Sequence, residues 1–179
     1  MPPVTPRGLP HLLERLAHGA VRRGGARRWG RVEEVDVERW EDGLRAAALR
    51  RPSLVLLDVE PYVARWLTGQ DELDAGVARL AGRWSDQPVL VVTNSDRVVS
   101  GHVLPPHWRQ ISNARKPFTR LHAPSGAVVV GDQPLMDGLL AWRYRAGFVR
   151  VPLPAGAPWW ARTTCRVFTP VSRLWLRRP

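Results

Sequence analysis

Residues 128–154 read VVVGDQPLMDGLLAWRYRAGFVRVPLP. An apolar run, Ala127–Gly131, leads into this stretch, and a second, Phe148–Leu153, closes it. Between them Leu135, Leu139, Trp142 and Ala146 recur at helical spacing over Pro134–Ala146. Two earlier runs, Leu54–Val59 and Val89–Thr93, are built almost wholly from apolar residues rich in Val and Leu. They bracket another helical pattern, Leu73–Trp84, with Leu73, Val77, Leu80 and Ala81 on one side. Continuous apolar strands suit a parallel sheet covered on both faces. Strand alternating with helix predicts a doubly wound, Rossmann-like α/β fold.

Outward from this pattern the signals weaken. Val35–Val37 reads as a short extended piece before a helix over about Glu38–Arg50, whose Trp40, Leu44 and Ala48 share a face and which Pro52 ends. The irregular stretch Thr93–Ala123 is expected to hold a short helix near Asp96–Val99, another around Pro117–Leu121 and a weak strand near Gln110–Asn113. At the start, Leu9, Leu12, Leu13, Leu16 and Ala20 fall at helical spacing behind Pro10, and a Gly/Arg linker follows from Arg22 to Gly30. Three parts result: a basic helix and linker over 1–34, an α/β domain over 35–154, and a basic Trp/Arg-rich tail over 155–179.

The chain has 179 residues and a formal charge of +11, which first suggests a nucleic-acid or anionic-surface binder. The charge is unevenly spread. Residues 1–31 carry +6 and residues 150–179 another +6, leaving the 118 residues between them at −1. Of the 27 basic residues only Lys116 is a lysine. The single cysteine, Cys165, cannot form an internal disulfide. The five histidines show no metal-ligand spacing, and no Gly-rich phosphate loop appears. No stretch approaches the ~20 apolar residues of a spanning helix. The apolar segment Leu9–Val21 is interrupted by His11, Glu14, Arg15 and His18, unlike a secretory signal core. The expectation is a cytoplasmic protein.

In an open parallel sheet, ligands bind beyond the carboxyl ends of the strands. There this sequence places Asp58-Val59-Glu60, Thr93-Asn94-Ser95-Asp96 and Gly131-Asp132-Gln133, with Asp137 about one turn further on and Lys116 before the last of these strands. Carboxylates can hold Mg²⁺ through hard oxygen ligands, and one can attack phosphorus. A hydroxyl and an ammonium would bind and neutralise phosphoryl oxygens.

In that order and with those residues, the chain resembles the haloacid dehalogenase (HAD) superfamily of phosphohydrolases. Within it, the chain is similar to subfamily IIIA, the YqeG-type branch related to phosphatidylglycerophosphate phosphatase. The matching residues are Gly131-Asp132-Gln133, Asp137, Arg145-Ala146-Gly147, Lys116-Pro117, Thr93-Asn94 and Trp66, eight residues after Asp58. The resemblance spans about Val35–Pro154. It implies a HAD-like fold with little or no cap domain and an Mg²⁺-dependent phosphomonoester hydrolase working through an aspartyl-phosphate. Asp58 would be nucleophile and metal ligand, Thr93 and Asn94 would bind the phosphoryl group, and Lys116 would balance charge. Asp132 would complete the metal site and Asp137 would support it. The substrate would be a phosphorylated small molecule or lipid.

The first motif departs from the family's Asp-x-Asp-x-Thr, for here it reads Asp58-Val59-Glu60-Pro61-Tyr62. Glu60 keeps the acid/base carboxylate but adds a methylene, and a misplacement of ~1 Å can cost ~100-fold. Pro61 removes an N–H from the turn that cups the phosphate, and Tyr62 replaces a small hydroxyl with a ring. A catalytically impaired HAD-like binding protein is therefore the alternative. Two readings also stand for the tail from Pro158: contact with an anionic membrane surface through interleaved Trp and Arg, or a helix whose Trp pack on the sheet. Pro170 is expected to break any long helix there. Nucleic-acid binding by the basic ends is the less favoured partner.

Overall fold

The runs Val55–Leu57 (β2), Val89–Val92 (β3), Val128–Gly131 (β5) and Gly147–Arg150 (β6) all lie side by side and parallel, as continuous apolar character demands. The computed structural model describes residues 32–177 except 39, 61, 62, 66, 67 and 85, and not the side chains of 32, 40, 41 and 44. The expected helix of Leu9–Ala20, the Gly/Arg linker, Pro61, Tyr62 and Trp66 lie outside the described residues. Val32–Asp36 (β1), Arg109–Ile111 (β4) and Leu176–Arg177 (β7) complete a seven-stranded sheet of order β4-β3-β2-β5-β6-β1-β7. Every pairing in it is parallel.

Helices cover both faces, as a doubly wound α/β fold requires. Val55 and Leu57, Val128 and Val130, and Val149 and Val151 face one way, against Leu73, Val77 and Leu80 of helix α2 (Gln70–Ala81) and Ala47 of helix α1 (Trp40–Leu49). Leu56, Val129 and Phe148 face the other way, with Ala141 of helix α3 (Leu139–Tyr144) and Leu176. Alternate residues of each strand thus feed two cores. Burying each Val or Leu contributes about 1.5–3 kcal/mol, set against the entropy of ordering the chain.

The sequence pattern misjudges two loops. No helix forms near Asp96–Val99 or Pro117–Leu121, because side chains from elsewhere take the backbone bonds a helix would have made. Gln110 accepts from the Val99 N–H at 2.7 Å and donates to the Arg97 carbonyl at 2.7 Å. The Tyr144 hydroxyl accepts from the Leu121 N–H at 2.8 Å and donates to the Thr119 carbonyl at 2.7 Å. The weak strand expected at Gln110–Asn113 is β4, one residue earlier and shorter.

The tail forms helix α4, Trp159–Ser172, with Pro170 inside it. Pro170 does not interrupt the helix but costs it an N–H bond, and the helix ends two residues later. Ala161, Cys165 and Ser172 are the buried residues, packed toward the turn Pro134–Gly138. Trp159 and Trp160 do not pack on the sheet: they are 66% and 46% exposed. Beyond α4 the chain returns as β7 beside β1, pairing Leu176 with Val32.

Candidate active site

The strand order reverses at β2. Its successors β3 and β4 extend to one side, whereas β5 returns to the other. The crevice at such a reversal is where an open α/β sheet binds ligands. Asp58 immediately follows β2 and Asp132 immediately follows β5, so the two acids flank that crevice. The Asp58 N–H continues the ladder by donating to the Val130 carbonyl at 3.0 Å.

Asp137 joins them through an unusual turn. Pro134–Gly138 is a single π-helical turn preceding α3, a wider turn often found at functional sites. It brings the Asp137 carboxylate back toward the end of β5, where Oδ2 accepts from the Gln133 N–H at 3.1 Å. Only glycine fits at the strand end, since a Cβ on Gly131 would lie 2.3 Å from Asp137 Oδ2. Asp58, Asp132 and Asp137 each offer an oxygen, and the three lie within 4.8 Å of one another.

Lys116, from the loop after β4, reaches into this cluster. Its Nζ lies 2.5 Å from Asp58 Oδ2 and 2.7 Å from Asp137 Oδ1. The lysine is only 4% exposed, against 9% for Asp58, 2% for Asp132 and 1% for Asp137. Burial works against its charge, but Asp137 and Asp58 outweigh that and hold its pKa above the ordinary lysine range. The acids feel the opposite imbalance. Burial, and then the Asp137 charge, raise Asp58 well above the usual carboxylate range despite Lys116. The same two causes push Asp132 up to about 8.

Three carboxylates and one ammonium leave two negative charges in excess. Buried charge of that kind needs protons or a cation to balance it. Three hard oxygen donors with a surplus of two charges fit a hard divalent ion, and Asp58, Asp132 and Asp137 are the residues that could hold one.

The other residues singled out from the sequence are placed differently. Asn94 grips the backbone of Lys116: its Oδ1 accepts from the Lys116 N–H at 2.5 Å and its Nδ2 donates to the Lys116 carbonyl at 3.4 Å. It therefore positions the lysine. The Thr93 hydroxyl is buried within its own turn, 2.9 Å from Ser95 Oγ, and accepts from the Ser95 N–H at 3.1 Å. Glu60 is not part of the three-carboxylate cluster. Its Oε1 pairs with Arg97 at 3.1 Å, although its charge still reaches Asp58.

Three further contributors were given no role from the sequence. Arg97 is anchored to the Arg65 and Gly69 carbonyls and the Thr68 hydroxyl while it holds Glu60. Gln133 donates to Asp132 Oδ2 at 3.3 Å. The Cys165 thiol of α4 donates to the Asp132 carbonyl at 3.3 Å, and burial pushes its pKa up to about 12. Only Gln133 had a signal, its place in the Gly131-Asp132-Gln133 run. No protein-family model, curated protein or solved structure matches the chain.

Proposed function

We propose that the chain is an Mg²⁺-dependent phosphomonoester hydrolase of HAD type, acting on a small-molecule or lipid phosphate. The observation that carries this reading is the meeting of Asp58, Asp132, Asp137 and Lys116 at the sheet's reversal point with two negative charges in excess. A bound Mg²⁺ would supply charge neutralisation for phosphoryl oxygens among the carboxylates. The Asp58 carboxylate attacks phosphorus, an aspartyl-phosphate forms, and the bond to the ester oxygen breaks. Lys116, held by Asn94, stabilises the negative charge that spreads over the phosphoryl oxygens. A compact ammonium point charge differs from the planar fork of arginine, and here its Nζ reaches Asp58 and Asp137 together. Glu60, once its pair with Arg97 opens and its carboxyl is protonated, gives that proton to the leaving oxygen and then accepts one from the attacking water. Water adds to phosphorus, the bond to Asp58 breaks, and inorganic phosphate leaves.

The Glu60–Arg97 pair favours a second reading, a HAD-like binding protein that keeps the acid cluster but turns over slowly or not at all. Hydrolysis of an aryl phosphate with Mg²⁺, wild type against Asp58→Asn, separates the two. Mg²⁺-dependent turnover that Asp58→Asn abolishes is expected from the enzyme. Mg²⁺-dependent thermal stabilisation without turnover on a panel of phosphates would leave the binding reading.

A further inference from the structure

Helix α4 has three distinct faces. Ala161, Cys165 and Ser172 point inward, and Arg150 ties the helix to the sheet by donating to Thr169 Oγ1 at 2.7 Å. On the opposite side Trp160, Val167 and Val171 recur at spacings that stack them on one stripe, and Leu174 follows in the turn after the helix. They are 46%, 54%, 41% and 72% exposed, with Trp159 66% exposed at the helix start. Between stripe and body lie exposed arginines, Arg162 and Arg166 on the helix and Arg173 at its C-terminal cap. The side chains of these arginines make no ion pair or hydrogen bond among the described residues. Arg162 and Arg166, with Arg150, also line an open cleft of about 410 Å³ between α4 and the chain that leaves β6.

From this geometry we infer that the outer face of α4 is a docking surface for an anionic phospholipid bilayer. Apolar side chains on a helix already fixed to its domain gain nothing from water, and a stripe of this kind rimmed by arginine matches the acyl–headgroup boundary. Trp at one end suits the headgroup level. From Arg150 onward the sequence carries six Arg and no Asp or Glu, so the charge complements anionic lipid. The same charge disfavours a second copy, because pairing two α4 faces would set arginine rows against each other. A nucleic acid would use the arginines but leave Val167, Val171 and Leu174 without a partner.

Vesicle binding tests this without any turnover, so its outcome is separate from that of phosphate hydrolysis. The full chain is sedimented with vesicles of phosphatidylcholine mixed with phosphatidylglycerol, and with phosphatidylcholine alone. Two variants are compared: Val167→Ser/Val171→Ser/Leu174→Ser, and Arg162→Gln/Arg166→Gln/Arg173→Gln. All positions are exposed, and unchanged thermal unfolding confirms that the variants fold. Wild type should bind the mixed vesicles and not the neutral ones, and each variant should lose about tenfold or more in affinity. Quenching of Trp159 and Trp160 emission by brominated lipid, measured against a Trp159→Phe/Trp160→Phe chain, should accompany binding. Failure to bind mixed vesicles, or equal binding by all three chains, would overturn the proposal. Tighter binding to duplex DNA through the same residues would overturn it too, as would a dimer that the Val/Leu variant dissociates.

Discussion

Asp58 and Glu60 stand two residues apart at the end of β2, and the fold gives them opposite surroundings. Asp58 lies among two other buried acids and one lysine, with negative charge left over. Glu60 faces a single arginine that is itself pinned by two carbonyls and a hydroxyl, so its charge is matched. The difference is one of balance: the first environment needs a cation and the second already has one. Proximity in sequence therefore says little about which acid carries unbalanced charge.

The sharpest way to break this contrast is to neutralise Asp58. Asp58→Asn should lower turnover by at least about 10⁴-fold, as loss of a nucleophile does. The metal-free fold should hold, because Lys116 keeps Asp137 as its partner and the excess of buried acid falls by one group. Urea unfolding beside a phosphatase assay checks both. Removing the lysine instead should deepen the imbalance. Lys116→Met should cost about 3–5 kcal/mol in the absence of metal, the usual cost of orphaning a buried ion-pair partner. Mg²⁺ should recover part of that loss in the same unfolding measurement.

Acidity gives a third test. Asp58 and Asp132 hold protons more tightly in the fold than an unfolded carboxylate does, Asp132 up to about 8. The Asp132 contribution to stability in the metal-free protein is fully present below about pH 4 and is lost as pH rises through about 8, and the Asp58 contribution has the same sign. The metal-free melting temperature should therefore fall across that window, and the increment added by Mg²⁺ should grow. A metal-free melting temperature that climbs instead would remove the charge-excess account.

The geometry of the third acid can be disturbed without touching a charge. In Gly131→Ala the new methyl would collide with the Asp137 carboxylate. Metal affinity should drop about 10–100-fold, the effect typical of misplacing groups that orient a metal site. Titration with Mg²⁺ by calorimetry would show it. The smallest change is expected on the other side of the comparison. Arg97→Gln opens the pair with Glu60, and turnover should shift by no more than about tenfold while Mg²⁺ affinity stays constant. An Arg97→Gln protein that loses Mg²⁺ binding would show that the two environments are one.

Much of the sheet could be read from residues alone, because Val55–Leu57, Val89–Val92 and Val128–Gly131 are apolar without interruption. Asp58 and Asp132 were legible for the same reason, because strand ends locate them before any contact is known, whereas Lys116 stood out as the only lysine. Arg97 was not, since one arginine among many carries no local mark. The loops around Arg97 and Thr119 defeated a helical reading because Gln110 and Tyr144, distant in sequence, supply their hydrogen bonds. Strand β7, two residues long, lacks the length that periodicity needs. Trp159 and Trp160 turned outward although their residue type favours burial, and composition alone does not set which side of a helix faces the body.

The position of β1 bears on how the protein is made. Its two neighbours are β6 and β7, so Val32 finds its partner only when Leu176 has been synthesised. During translation the first of these strands must wait while β2, β3 and β5 can already associate. Pairings so distant in sequence are slow to form, and the waiting edge is open to association with other chains. Ribosome-bound fragments ending before Gly147 should therefore carry an unseated β1, and the edge of the sheet would be the last part of the molecule to become native.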